Sequence, residues 1–425
     1  MNILKINSTG NDVYLLQSTL LKLKFYTGKI DGIFGENTEN AVMNFQKRHN
    51  LVPDGIVGQN TISALLPYIN GYTTYTLMQG DTFFNIANKF YTSVNSIIFA
   101  NPSVDYSNLS VGQQIIVPFG NSIIPTNIPY TSDVLNLNVK ALKTIYPFLR
   151  ISHIGYSVLG KPIQALSFGT GKNEYFYNAS IHANEWITSP VLMKFLETLC
   201  SAYVNNTTIH EIDIRNLYKD ITLYIVPLIN PDGVDLVTDN LNKNSNAYLN
   251  AKLISSRFPE IPFPDGWKAN ILGVDLNLQF PAGWQNAREI KYSLGFNKPA
   301  PKDFVGFAPL STPESRAIYR FTLSHDFRLI LTYHTQGQVI YWQYQNYAPK
   351  DSLDIANKFA KLSSYEVADV PYNSSFAGYK DWFIYNYRKP GFTIEAGLGE
   401  SPLPVSQFDE IYKDNFGILI NGILQ

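Results

Sequence analysis

A chain of 425 residues is too long for one core and is expected to divide into two or three domains. Its content of 45% hydrophobic, 14% aromatic and 16% charged residues excludes a disordered chain. A formal net charge of -1 supplies no field to attract nucleic acid or an anionic membrane, so neither is an expected partner.

The opening residues, MNILKINSTG, have one lysine and no apolar run of the length a secretory signal needs. The longest apolar run, Ile221 to Ile229, falls far short of the roughly 20 residues that cross a bilayer. The expectation is a chain without membrane insertion, cytoplasmic at synthesis. The lone Cys200 shares a helical stripe with Val191, Phe195 and Leu199, which predicts a buried inert thiol and no internal disulfide.

Residues 1–70 open with NDVYLLQSTLLKLKFY, where Val13, Leu16, Leu20 and Leu23 recur at helical spacing behind Asp12 as the expected cap. Two related halves follow, KIDGIFGENTENAVMNFQ and VPDGIVGQNTISALL. Each reads Asp-Gly-x-x-Gly, a polar cap and an apolar helix. Gly32, Gly35, Gly55 and Gly58 are expected in turns needing positive φ, with Thr38 and Thr61 near the helix starts. The pattern resembles the small all-α, three-helix peptidoglycan-binding domain of bacterial wall hydrolases.

In residues 72–119 a short strand precedes Asp81, the expected N-cap of a helix whose apolar face is Phe83, Ile86, Ala87 and Phe90. Ile97 and Ile98 mark a second short helix, and QQIIVP closes as a strand ended by Pro118. This βααβ unit, with GDT, ANP and LSVGQQIIVP, resembles a LysM module. The resemblance implies binding to the N-acetylglucosamine-containing glycan of peptidoglycan or chitin. Neither segment clusters acids, bases or metal ligands, so both read as binding modules.

Residues 120–132, punctuated by glycine and proline, read as a linker. From 133 to 425, β-like runs (FYNASIH, ITLYIVPLIN, FRLILTYHT, PGFTIEAG) alternate with helical ones such as SPVLMKFLETLCSAY and TPESRAIYRFTLS. That alternation predicts an α/β domain around a buried sheet.

His182 and Glu185 stand three residues apart in SIHANEWITSP, on a loop between an expected strand and an expected helix. Spacing alone makes this a weak signal, because short two-residue motifs recur by accident. His334, however, ends the apolar run LILTYH, and Glu395 ends the β-like run in GFTIEAG. Each alone reads as a satisfied polar residue at a sheet end. Together, two imidazoles and a carboxylate form a known catalytic zinc set with one position left for water, and a further carboxylate is needed to take that water's proton.

IHANEWIT, NPDG (Asn230 to Gly233), GVDLN (Gly273 to Asn277), TYHT and FTIEAG follow the order found in the zinc carboxypeptidase family, which residues 133–425 resemble nearly throughout. The resemblance implies an α/β/α domain with a mixed, mostly parallel central sheet. It also implies one Zn2+ held by His182, Glu185 and His334, with Glu395 as general base and acid. Lys268, in WKAN, falls where the family has the arginine that steadies the oxyanion. Asn277 matches the asparagine that holds the substrate's terminal carboxylate, and Tyr372 the mobile substrate-binding tyrosine.

Two positions depart from the digestive members, which read HAREW and N-R-N-F/W: here Asn184 and Leu278 replace the arginines. Leucine cannot form the two-pronged bond by which arginine grips a free C-terminal carboxylate. HANEWIT, WKAN and GVDLNLQFPAGW instead resemble the bacterial branch that cleaves γ-D-glutamyl-diamino acid bonds, to diaminopimelate or lysine, in peptidoglycan stem peptides. The implied partners are the glycan and stem peptides of cell wall or spore peptidoglycan. Alternatives are a metallocarboxypeptidase trimming C-terminal residues and a non-catalytic wall-binding protein.

Overall fold

Two glutamines organise the first helical module of the computed structural model, which describes residues 3–425. Its helices are α1 (Asn11–Lys22), α2 (Glu36–Arg48) and α3 (Gln59–Asn70), closed on Val13, Leu16, Leu20, Phe34, Phe45 and Leu65. The Gln17 amide donates to Asp31 Oδ1 (2.9 Å) and Thr38 Oγ1 (3.2 Å), while its carbonyl accepts from Gly32 N (2.9 Å). Gln46 repeats this in the second half: it donates to Asp54 Oδ1 (2.8 Å) and Thr61 Oγ1 (3.0 Å) and accepts from Gly55 N (3.0 Å). Each Asp-Gly turn is thus clamped to the preceding helix by one buried side chain.

Two expectations are corrected here. Only the first glycine of each turn has positive φ, 71° at Gly32 and 72° at Gly55, whereas Gly35 (-95°) and Gly58 (-86°) are the N-caps of α2 and α3. Thr38 and Thr61 lie near the helix starts as expected, in the first turns of α2 and α3, their hydroxyls turned to the glutamines. Asp12 lies in the first turn of α1 behind Gly10, which caps it without a side-chain bond.

The second module pairs β1 (Tyr72–Thr76) antiparallel with β2 (Gln114–Pro118) around α4 (Phe83–Lys89) and α5 (Val94–Ala100). Thr82, not Asp81, caps α4 by accepting from Asn85 N (3.1 Å), because Asp81 is occupied with Met78 N (2.7 Å). Asn101 ties α5 to β2, donating to Ile97 O and Ile116 O and accepting from Ile116 N.

The chain forms two compact units. The first holds residues up to Pro129 with Asp133–Leu149 and Glu197–Ile214, including the short hairpin β6 (Thr208–Ile209) and β7 (Ile212–Asp213). Residues 120–129 pack within it: Ile123, Ile124 and Ile128 are buried, and Glu197 accepts from Ser122 Oγ (2.5 Å) and Ile123 N (2.6 Å).

The second unit contains an eight-stranded sheet of β3 (Arg150–Tyr156), β4 (Pro162–Gly169), β5 (Asn173–Ala179), β8 (Ile221–Val226), β9 (Phe327–His334), β10 (Val339–Tyr341), β11 (Glu366–Ala368) and β12 (Gly391–Glu395). The order is β11-β10-β12-β9-β5-β8-β4-β3. Pairs β8–β5, β5–β9, β9–β12 and β10–β11 are parallel and the other three antiparallel, giving a mixed, mostly parallel sheet. Alternation along β5 places helices on both faces. Phe176 packs on one side with Phe327 and Tyr379, and Tyr177 on the other donates to Leu419 O (2.9 Å) in helix Phe408–Gly422. Parallel pairing then brings the carboxyl ends of β5, β9 and β12 to one edge.

The glutamine clamps can be tested directly. Gln46→Leu leaves the Gly55 N–H without its acceptor, so hydrogen exchange of the Gly55 amide should quicken by about 10- to 100-fold, as expected for roughly 1–3 kcal/mol. Unchanged exchange would show that the turn does not depend on Gln46.

Candidate metal centre and its cleft

Three strand ends converge on one point. Glu395, the last residue of β12, lies in register with His334, the last of β9. The loop after β5 turns at Ser180 (φ 50°), whose hydroxyl bonds Ser189 Oγ (2.7 Å). Thr188 Oγ1 then donates to the Glu185 carbonyl (2.7 Å), fixing the short helix Ala183–Glu185. Asn230, the first residue of NPDG, reaches Ile181 O (3.3 Å) and Ala269 O (3.0 Å), so that motif joins the His182 loop to the Lys268 loop.

The side chains complete the convergence. Glu185 Oε1 lies 2.9 Å from His182 Nδ1, and Glu185 Oε2 lies 2.9 Å from His334 Nδ1. The two Nδ1 atoms face each other at 3.2 Å. His182, Glu185 and His334 each offer a ligand atom within 4.8 Å of the others and could hold a metal ion. Two imidazole nitrogens and a carboxylate turned toward one point fit zinc in chemistry and number. With its lone pair at Nδ1, each ring can give that nitrogen to a cation lying between them.

The local charges favour such a cation. Burial works against the Glu185 carboxylate, yet His182, Lys268 and His334 hold its pKa well below the usual range. For His182 burial opposes the charged form, but Glu185 and Asp275 outweigh it and raise the imidazole to about 10. Lys268 Nζ stands 3.1 Å from Glu185 Oε1; burial disfavours its charge, while Glu185 and Glu395 raise its pKa above the ordinary lysine value. Glu395 is shifted upward, mainly by burial and also by the Glu185 charge, against the pull of His334 and Lys268.

Asp275 belongs to this centre although no role was expected of it. Its Oδ1 lies 3.2 Å from His182 Nε2 and accepts from Asn277 N (3.1 Å), and its Oδ2 accepts from Asp303 N (3.1 Å). Burial would raise its pKa, but His182, the Asp303 N–H and Lys291 hold it at about 2. The one clue in the sequence was a carboxylate two residues before Asn277 in GVDLN.

A cavity of about 330 Å³ opens beside the centre, lined by His182, Lys268, Asn277, Leu278, His334 and Glu395 among others. A second, of about 440 Å³, is bordered by Asn184, Glu185, Glu260 and Glu400 and shares His182, Lys268, Lys302, Tyr341 and Glu395 with the first. Asn277 Oδ1 accepts from Tyr379 N (3.0 Å), which leaves its amide N–H groups as donors. Leu278 is buried, and Asn184 is turned to the carbonyls of Asp265 (3.1 Å) and Ser401 (3.4 Å).

Tyr372 stands apart from the other expected residues. It is 64% exposed, its ring lies edge-on to Phe376, and it borders a third depression with Gln343, Asp369 and Asp381. Tyr341, which lines both cavities at the centre, carried no motif. Arg316 gives its guanidinium to the carbonyls of Leu310 and Ser311.

Comparison with known proteins matches three successive parts of the chain. Models described as "Zinc carboxypeptidase", "Putative peptidoglycan binding domain" and "LysM domain" match residues 138–417, 9–65 and 75–118. The chain is 44% identical over 294 residues to "Gamma-D-glutamyl-L-diamino acid endopeptidase 1" of Lysinibacillus sphaericus, covering 69% of this chain and 72% of that one. It is 38% identical over 84 residues to a spore cortex-lytic enzyme of Oceanobacillus iheyensis, 19% of this chain and 30% of that one. Bovine thrombin-activatable fibrinolysis inhibitor, solved with tick carboxypeptidase inhibitor, shares the fold at TM-score 0.53 and 18% identity, over 69% of this chain and 96% of that one. The chain is therefore a member of the zinc carboxypeptidase family that carries a peptidoglycan-binding domain and a LysM domain ahead of its peptidase domain.

Proposed function

We propose that this enzyme hydrolyses the bond between γ-D-glutamate and a diamino acid in peptidoglycan stem peptides, held to the wall by its two N-terminal modules. The observation that carries the reading is Leu278. It follows Asn277 in the cavity wall, next to a complete His-Glu-His set, and offers no guanidinium to close on a free C-terminus. The likeness to the Lysinibacillus endopeptidase and the two wall-binding modules support the same substrate.

In this reading His182, Glu185 and His334 hold one zinc ion. When bound, zinc polarises the scissile carbonyl and acidifies a water molecule. Glu395 takes a proton from the attacking water on its carboxylate and returns it to the leaving amine nitrogen. Its upward-shifted pKa brings it nearer the operating pH that an acid-base group requires. Lys268, kept charged by Glu185 and Glu395, places an ammonium where negative charge develops on the carbonyl oxygen. Asp275 holds His182 at Nε2 and so orients Nδ1 toward the metal. Asn277 donates its amide N–H groups to a polar substrate group on the cavity wall.

Incubation with an L-Ala-γ-D-Glu-diaminopimelate-D-Ala tetrapeptide, analysed by mass spectrometry, should release diaminopimelyl-D-alanine. A chelator should stop the reaction and zinc restore it. Release of D-alanine alone would instead mark a carboxypeptidase, and no zinc-dependent product would sink both activities. Glu395→Gln should retain zinc while kcat falls by roughly 10²- to 10⁴-fold; a near-normal rate would remove Glu395 as the base. Asp275→Ala should weaken zinc binding by about 10- to 100-fold in competition with a chelator, and undiminished affinity would exclude it as the support of His182.

A further inference from the structure

Four lysines line the 330 Å³ cavity: Lys268, Lys291, Lys302 and Lys380. Three have a carboxylate partner, Lys268 with Glu185 (3.1 Å), Lys291 with Asp303 (2.6 Å) and Lys380 with Asp381 (2.7 Å). Among the described residues, Lys302 makes no ion pair or side-chain hydrogen bond, and it is half-buried. An ammonium has three donors, and one held in a cleft without an acceptor is poised for a ligand anion.

The position of Lys302 is set by the metal centre itself. On one side, Pro301 O accepts from Lys268 N (2.8 Å) and Ala269 N (2.9 Å). On the other, Asp303 N donates to Asp275 Oδ2, and Asp275 Oδ1 is the contact of His182 Nε2. The backbone on both flanks of Lys302 is therefore fastened to the site. Its side chain borders both cavities together with His182, Lys268 and Glu395, so it adjoins the reacting centre on either side.

Substrate chemistry supplies the missing anion. A γ-linked D-glutamate keeps its α-carboxylate free, and only the Cγ, Cβ and Cα atoms separate that group from the scissile carbonyl. At bond lengths of ~1.5 Å the carboxylate lies within about 5 Å of the bond being cut. An ordinary α-linked peptide has a neutral backbone amide in that neighbourhood, and only an acidic side chain would place a carboxylate there. We infer that Lys302 binds the free α-carboxylate of the γ-linked glutamate and so selects γ-glutamyl bonds over ordinary α-peptide bonds. The inference rests on the proposed activity, for which it names the group that makes the linkage recognisable.

The test compares kcat/KM for two tetrapeptides that differ only in this group, D-glutamate against D-isoglutamine, whose α-carboxylate is an amide. Wild type should prefer D-glutamate by about 10- to 100-fold, the value of a hydrogen bond to a charged group. In Lys302→Met the preference should fall below about threefold, through loss on the D-glutamate peptide alone, and Lys302→Arg should restore much of it. A merely structural lysine would lower both rates alike and leave their ratio intact. Equal cleavage of both peptides by wild type, or an undiminished preference in Lys302→Met, would overturn the inference while leaving the activity standing. Cleavage of neither peptide would overturn the proposed activity, and this inference with it.

Discussion

The peptidase domain depends on a carboxylate that has been taken out of water. Glu185 is 1% exposed, and an unpaired charge so placed would cost several kcal/mol. Its two oxygens face different imidazoles, and one also meets the Lys268 ammonium. The cost is met only while all three partners stay in place. Three loops separated by up to 149 residues are thereby bound to one point.

That demand explains the architecture around the site. His334 and Glu395 are neighbours because β9 and β12 pair in parallel and in register, and the His182 loop joins them because β5 pairs with β9 on the other side. A one-residue slip of β12 would move Glu395 to the opposite face of the sheet. Burial on both faces of the strands, as where Phe176 and Tyr177 of β5 pack on opposite sides, makes such a slip expensive. The core that fixes register is in this sense part of the catalytic apparatus.

The candidate ligands His182, Glu185 and His334, and with them Glu395, were legible in the sequence for a local reason: each follows an apolar run that reads as a buried strand. Residues whose roles arise from tertiary contact were not. Asp275 supports His182 across 93 positions of sequence, and Lys302 stands out only because the other lysines of its cavity are paired. Tyr341 reaches the centre through the antiparallel pairing of β10 with β12, which no motif announces. In the N-terminal modules, Asp-Gly and Gly-Asp-Thr located the turns correctly but not their caps. Gln17, Gln46 and Asp81 use hydrogen-bonding groups there that local rules assign elsewhere.

Leu278 bears on more than specificity. An arginine clamp on a C-terminal carboxylate supplies binding energy and ends the cleft at that residue. Leu278 supplies no such stop, and the first cavity and the third depression share Val370 and Asp381 in their walls. A site open in this way gives up part of its grip on a small peptide. Modules that bind the polymer compensate in a different manner, by raising the local concentration of stem peptides without adding a contact at the centre. Losing the clamp and carrying wall-binding domains are thus two sides of one physical arrangement, suited to a substrate that is immobile, repetitive and continuous past the bond to be broken.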